Sequence, residues 1–310
     1  VKTLNPLTAQ HYLHVFPDGA LQVIGMLCET RQCWKKAAEG IPWISVMAES
    51  EMEGIRWEDP SLVVILWRDS PVPVERSCRV GRVYLETLYG VGTLPTTPYQ
   101  RNLLEEFEAK CSRLDFTVVQ TPSMVNDAKA RGWPTPLLCP TGWDPDVMGR
   151  PDFSIQKTLD IGCYGTNYGH REEAMPPLLV AMSGSLFQFT GLGNARKRTL
   201  DHFAAVLTVL HSPGCSYPTM RLWQAAASSA AMISEPGDAW PARPGEHYVQ
   251  IPLIRSGDAL GETVRLLREI LADRLTLMLT AKRAYESLRE FTPEWCMGFL
   301  APQIMEAERA

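Results

Sequence analysis

The feature that most limits the fold of this chain is an alternation. Short apolar runs are followed by longer amphipathic stretches, and the pattern continues from one end to the other. A strand buried on both faces reads as a continuous apolar run, and parallel neighbours need a crossover helix between them. The alternation therefore predicts an α/β protein with parallel sheets. In the first half, strands are expected at 21–27, 42–47, 62–67, 82–88 and 116–120. Helices are expected at 101–113, where Leu103, Leu104, Phe107 and Cys111 recur at helical spacing, and at 123–131. Ser123 suits the N-cap of the second helix and Gly132 its C-cap.

The pattern breaks at 133–153, which carries Pro134, Pro136, Pro140, Pro145 and Pro151. Proline has no N–H to give and cannot continue a helix or a central strand. The stretch reads as a last short strand at 137–139 and then a linker. The alternation restarts beyond it, with strands expected at 160–165, 186–191, 205–210, 230–234 and 248–252. Helices are expected at 171–183, 219–229, 258–272 and 273–290, and a helix-like segment closes the chain at 293–308. A chain of 310 residues suits two domains. The boundaries expected are 1–150 and 151–292, with 293–310 packing back on the N-terminal domain. Two such α/β halves suggest a ligand cleft, and folds of this kind bind ligands at the carboxyl ends of their strands.

Composition narrows the classes of function. With 45% apolar residues the chain can bury a real core. A net charge of −5 gives no broad field for nucleic acid or an anionic membrane. The apolar runs 203–210 and 225–233 are far below the ~20 residues that cross a bilayer. The N-terminus lacks the basic and apolar regions of a secretory leader, so a cytoplasmic protein is expected. No repeat of solenoid period occurs. The eight cysteines have no C-x-x-C and no zinc spacing, so reduced thiols and no metal centre are expected.

Two segments carry chemistry. In 217–240 (YPTMRLWQAAASSAAMISEPGDAW) a loop runs into a helix and then a strand. Pro218 and Thr219 can start the helix, whose N–H groups and dipole suit a phosphate. Arg221 adds a charge-assisted contact there. The small residues Ala225, Ala226, Ser228 and Ser229 permit close packing. In 160–175 (DIGCYGTNYGHREEAM) a strand enters a loop in which Gly165 and Gly169 allow close backbone approach, and Arg171 can meet a diphosphate. Neither G-x-G-x-x-G nor the P-loop lysine is present.

From about residue 100 onward the chain resembles the glycosyltransferase group 1 superfamily, in its GT4-like branch and the CgeB-like subgroup. Four stretches match in order. LDFTVVQTPSMVNDAKARGWPTPLLCPTGWDPDVMG (114–149) is similar to the end of the family's N-domain. DIGCYGTNYGHREEAM is similar to its first C-domain strand and Arg-containing loop. TMRLWQAAASSAAMISEP is similar to its donor helix, and PGEHYVQI to its Pro-Gly-x-Glu segment.

The resemblance implies a GT-B fold of two Rossmann-like α/β domains facing a cleft. It implies a metal-independent, retaining transfer from a UDP-sugar, held by Gly165, Thr166, Arg171, Ser216, Tyr217, Arg221 and Gln224. The donor is then a co-substrate and no cofactor is expected. The acceptor is a glycan, a small molecule or a modified nucleic acid, and the protein a monomer or homodimer.

The sequence also departs from the family's E-x7-E pair, carrying Ser216 and Gln224 at those places. Gln can bond a ribose diol without charge. Glu235 offers a carboxylate near the sugar. An inverting course would instead need a base from the first half, where Glu49, Glu51, Asp69 and Glu86 lie near strand ends. His14 and His170 read as surface residues. Two alternatives accompany the enzyme. One is an inactive binding protein, in which Gln224→Glu would create or improve nucleotide binding. The other is a DNA-modifying glycosyltransferase, drawing on Arg196, Lys197 and Arg198 and on Trp34, Trp43, Trp57 and Trp67.

Overall fold

A computed structural model of the chain describes residues 10–16, 18, 31–67, 70–84, 98–140, 142–144, 149–164, 171–189, 203–211, 221–254, 257 and 259–309. The chain divides into two compact units. One takes Val1–Leu88, Tyr99–Val147 and Phe291–Ala310, the other Tyr89–Pro98 and Met148–Glu290. The expected strand at 21–27 and the second half of that at 82–88 lie outside the described residues.

The first unit is built on β1 (His11–Phe16), a helix α1 over 31–38, β2 (Ile44–Ala48), β3 (Leu62–Leu66) and β4 (Arg79–Val83). It continues with α2 (Pro98–Cys111), β5 (Phe116–Val119), α3 (Pro122–Ala130) and β6 (Pro136–Leu138). The strands form one parallel sheet in the order β2-β1-β3-β4-β5-β6. β3 reads LVVIL and is buried at every position, as a strand covered on both faces must be. Pro136 opens β6 at the sheet edge, where a missing N–H is tolerated.

Two strands depart from expectation for one reason. β1 carries His11 and His14 among its apolar residues and is absent from the expected strands. β4 begins at Arg79, three residues before the expected 82. In both cases polar side chains interrupt the run but find partners that only the fold supplies. His14 is 2% exposed rather than on the surface, and its Nδ1 accepts from Trp67 Nε1 at 3.2 Å. Arg79 donates to the Ile304 carbonyl at 3.0 Å and lies over the Phe116 ring. Buried Arg82 donates to the Ser70 carbonyl at 2.6 Å. Between these arginines stands Gly81. A Cβ added there would overlap the Phe116 ring, so glycine alone fits the approach of β4 to β5.

α3 is capped at its start by Thr121, whose side chain accepts from the Met124 amide, rather than by Ser123. At its end Gly132 takes a φ of 70°, while its own amide bonds Lys129 O and the Trp133 amide bonds Ala128 O. That pairing closes the helix in a Schellman turn, which the left-handed glycine makes possible.

The second unit contains β7 (Leu159–Tyr164), α4 (Arg171–Ala181), β8 (Leu186–Phe189), β9 (Val206–His211), α5 (Arg221–Ala227), β10 (Ala231–Ser234), β11 (Val249–Gln250), α6 (Ala259–Ala272) and α7 (Arg274–Leu288). Its sheet is also parallel, in the order β11-β10-β9-β7-β8. Its main core gathers Ile161, Met175, Leu178, Leu210, Ile233 and Leu267. α5 ends at Ala227, two residues before the expected 229, the expected start at 219 lying outside the described residues, and it is buried almost all round from Leu222 to Ala227. Ser229 closes it with a φ of 52°, in the place where a glycine usually stands, while the Ala230 amide bonds Ala225 O. Lys157 secures this end. Its ammonium donates to Ser228 O at 2.8 Å, to Ser229 Oγ at 2.9 Å and to Ala204 O at 2.9 Å. A cation at a helix C-terminus is favourable, and here it meets three acceptors at once.

The last described helix, α8 (Pro293–Arg309), returns to the first unit. Cys296, Met297, Leu300 and Ile304 join Phe16, Trp34, Ile65 and Phe116 in one core. Gln303 bonds both the amide and the carbonyl of Leu138 on edge strand β6, at 3.1 and 2.9 Å.

Candidate functional site

In an open parallel sheet the first strand is flanked on one side by the second and on the other by the third. The chain direction reverses there, and the loops leaving the two strands part to open a crevice at their carboxyl ends. Both sheets have such a switch, between β1 and β3 in the first and between β7 and β9 in the second.

The second sheet places cations there. Arg171 is the first described residue of α4, the helix that follows β7, and Arg221 is the first described residue of α5, the helix that follows β9. Glu235 comes directly after β10, the neighbour of β9. Arg171 is 8% exposed, Glu235 1% and Gln224 2%; Arg221 is half-buried. These groups share one electrostatic neighbourhood. The Cys163 thiol on β7 is pushed up by burial, pulled down by the charges of Arg171 and then Arg221, and raised by Glu235. Arg221 also donates to the side-chain oxygen of Gln224, one turn along α5. Glu235 is a buried acid, and one of its oxygens accepts the Ile254 amide at 2.8 Å.

The first sheet places a hydrogen-bonded polar network at its own carboxyl edge. Glu49 follows β2 and accepts from Ser70 Oγ at 2.8 Å. Ser70 is buried and its carbonyl in turn takes the Arg82 guanidinium. Beside them Ser50 Oγ donates to Asp18 at 2.9 Å, and Arg31 lies 3.9 Å from the same carboxylate. Glu51 bonds the Ala48 amide at 2.6 Å, which fixes the turn after β2.

The sequence-predicted residues thus divide. Arg171, Arg221, Gln224 and Glu235 come together in the second unit, and Glu49 lies in the first. Gly165, Thr166, Gly169, His170, Ser216, Tyr217, Thr219, the basic run 196–198, Asp69 and Glu86 lie outside the described residues. Sequence reasoning missed Lys157, Ser70 and Arg82, whose partners come from distant segments. It also offered tryptophans as base-stacking platforms, but Trp34 and Trp67 are 0% and 3% exposed and pack with His14 and Phe16. Among the described residues no group of three or more His, Cys, Asp or Glu side chains comes within reach of one metal ion. No described helix is long and apolar enough to cross a membrane.

No protein-family profile matches the chain, and no curated protein matches it in sequence. Solved structures do match in fold. Sucrose-phosphate synthase (tll1590) from Thermosynechococcus elongatus superposes with a TM-score of 0.63 at 12% identity, covering 96% of this chain and 100% of that one. Anabaena Alr3699/HepE in complex with UDP gives 0.57 at 8% identity, covering 97% and 100%. The pneumococcal O-GlcNAc transferase GtfA, in complex with UDP and GlcNAc, gives 0.52 at 11% identity over 84% of this chain. The chain spans only 60% of GtfA's length. With its two parallel α/β sheets, the chain has the two-domain, Rossmann-like GT-B fold.

Proposed function

We propose that the chain is a glycosyltransferase that moves a sugar from a nucleoside-diphosphate sugar, with UDP as its nucleotide, to an acceptor hydroxyl. One observation carries the reading. Two arginines, Arg171 and Arg221, stand at the first described positions of the helices that follow the two strands at the switch of the second sheet, and both act on Cys163 there. A diphosphate needs charge-assisted donors at such a crevice. The likeness of fold to HepE and GtfA, each solved with UDP, supports the same ligand.

In the proposed reaction the bond between the sugar's C1 and the β-phosphate oxygen breaks, and its electron pair leaves with the diphosphate. The acceptor oxygen bonds C1 and releases its proton. Arg171 and Arg221 stabilise the charge that develops on the departing phosphate, and Gly165, Thr166, Ser216, Tyr217 and Gln224 complete the donor site. A metal-independent, retaining course lets that phosphate take the proton. The order of the four sequence motifs supports a place in the CgeB-like branch. Glu49 and Glu235 are the carboxylates proposed to assist, Glu235 with one oxygen already held by the Ile254 amide.

The test is a panel of UDP, GDP, ADP and TDP with their sugars. A bound nucleotide raises the melting temperature, and donor hydrolysis is read by mass spectrometry. UDP should give the largest shift; no shift and no hydrolysis with any member ends the proposal.

A further inference from the structure

Where α8 returns to the first unit, its first turn brings one cysteine against another from a distant segment. Cys296 lies in that turn, and Cys139 directly follows edge strand β6. Both are free thiols in the core of the first unit, Cys139 4% exposed and Cys296 0%. The Cys139 thiol donates to the Pro140 carbonyl at 3.4 Å and to the Cys296 carbonyl at 3.7 Å. A side-chain hydrogen bond joins the two thiols.

The backbone around the pair is shaped for this approach. Gly142 takes a φ of 69°, and a Cβ on it would stand 2.9 Å from Cys296 Sγ and 3.3 Å from the Pro293 nitrogen. The Trp143 amide donates to the Phe291 carbonyl at 3.0 Å. Glycine therefore lets the segment after β6 close on the start of α8. The chain leaves the first unit after Val147 and re-enters it at Phe291, so the two cysteines flank its departure and its return.

We infer that Cys139 and Cys296 form a reversible disulfide on exposure to a peroxide, and that this bond latches α8 to the first unit. The Cys139 sulfur attacks one peroxide oxygen. An S–O bond forms, the O–O bond breaks, and the thiol proton leaves with the second oxygen as water. The Cys296 sulfur then attacks the Cys139 sulfur. An S–S bond forms, the S–O bond breaks, and the hydroxyl leaves with the Cys296 proton as a second water. Two thiols are oxidised by two electrons, and one peroxide is reduced to two waters. Burial, and then the hydrogen bond with Cys139, push the Cys296 thiol up, which reserves it for the second step. Peroxide reaches the buried pair only when the start of α8 opens. The bond therefore forms slowly and then opposes further opening. The inference does not depend on the proposed transfer.

The experiment treats the full, reduced chain with hydrogen peroxide, blocks the remaining thiols with iodoacetamide and maps the peptides by mass spectrometry without reductant. The expected product is a peptide pair joined through Cys139 and Cys296, two hydrogens lighter than its parts and released by dithiothreitol. The bond closes about half of the chain into a loop, and long loops gain most. The oxidised protein should therefore melt about 5 °C higher than the reduced one. Urea below the unfolding transition should speed the linkage. Cys139→Ser and Cys296→Ser should each lose both the link and the shift. Thiols that stay unlinked, whether unreacted or oxidised singly, would overturn the inference, and so would links chiefly to other cysteines. A linked protein that melts no higher than the reduced one would overturn the latch. The wild-type map needs no variant, so it decides even if a serine variant does not fold.

Discussion

The two sheets share a strand order yet carry opposite chemistry at the same topological place. At the carboxyl edge of the first, hydrogen bonds link Glu49 to Ser70, Arg82 to the Ser70 carbonyl, and Ser50 to Asp18, which lies beside Arg31. At the edge of the second, Arg171 and Arg221 reach a shared neighbourhood with Glu235, and Arg221 is met by a neutral amide. A hydrogen-bonded network of this kind suits hydroxyl-bearing ligands, which exchange hydrogen bonds without net charge. A cationic edge suits a polyanion. The contrast divides the proposed work, with the acceptor on the first unit and the donor on the second.

Breaking the first sheet at its tightest point should have the largest effect. Gly81→Ala drives a methyl into Phe116, which is fully buried and cannot swing away. A cost of about 3 kcal/mol is expected in urea unfolding, with hydrogen-exchange protection lost first on β4 and β5. Normal stability in that variant would mean that β4 and β5 are not so closely apposed.

The donor-side arginines come next. Arg171→Ala and Arg221→Ala should each weaken UDP by about 2 kcal/mol, the scale of one hydrogen bond to a charged group. Glu49→Gln should leave UDP affinity unchanged while lowering transfer to the acceptor. A loss of UDP binding in Glu49→Gln would erase the division between the units.

Acid should act on the first sheet through His14. Burial holds this imidazole down at about 3, against an ordinary 6.5. Between those values the unfolded chain binds a proton that the folded chain refuses, so stability falls as pH drops from 7 towards 3. At pH 5 the loss is about 2 kcal/mol. His14→Gln, which keeps an acceptor for Trp67, should flatten this slope in denaturant titrations across pH 4–7. His11 and His247 are also held low by burial and add in the same direction. The smallest effect expected is Glu235→Gln. It weakens a charged hydrogen bond to the Ile254 amide to a neutral one, at about 1 kcal/mol in thermal unfolding.

The sequence was most legible where one residue type did one thing. LVVIL could only be a covered strand, and arginines at the mouths of two expected helices could be read as anion ligands. It was least legible where a polar side chain is buried by partners far away in the chain. β1 was hidden because His14 depends on Trp67, and β4 was displaced because Arg79 depends on Ile304. Lys157 gave no signal at all, since its three acceptors come from residues 204, 228 and 229. Periodicity registers burial of apolar surface, but not a hydrogen bond between segments far apart in the chain. The same limit applies to Gln224. Its departure from the family's glutamate was plain, while its engagement with Arg221 required the fold.

The route of α8 has a consequence for how the protein is made. The first unit's sheet is synthesised early, but Cys296, Met297, Leu300 and Ile304 reach its core only with α8. On the ribosome the second unit can therefore complete itself first, although it is encoded later than most of the first. Until α8 emerges, the nascent first sheet leaves the apolar faces of Phe16, Ile65 and Phe116 short of their cover. That is the interval in which a translating chain of this design is most in need of a chaperone.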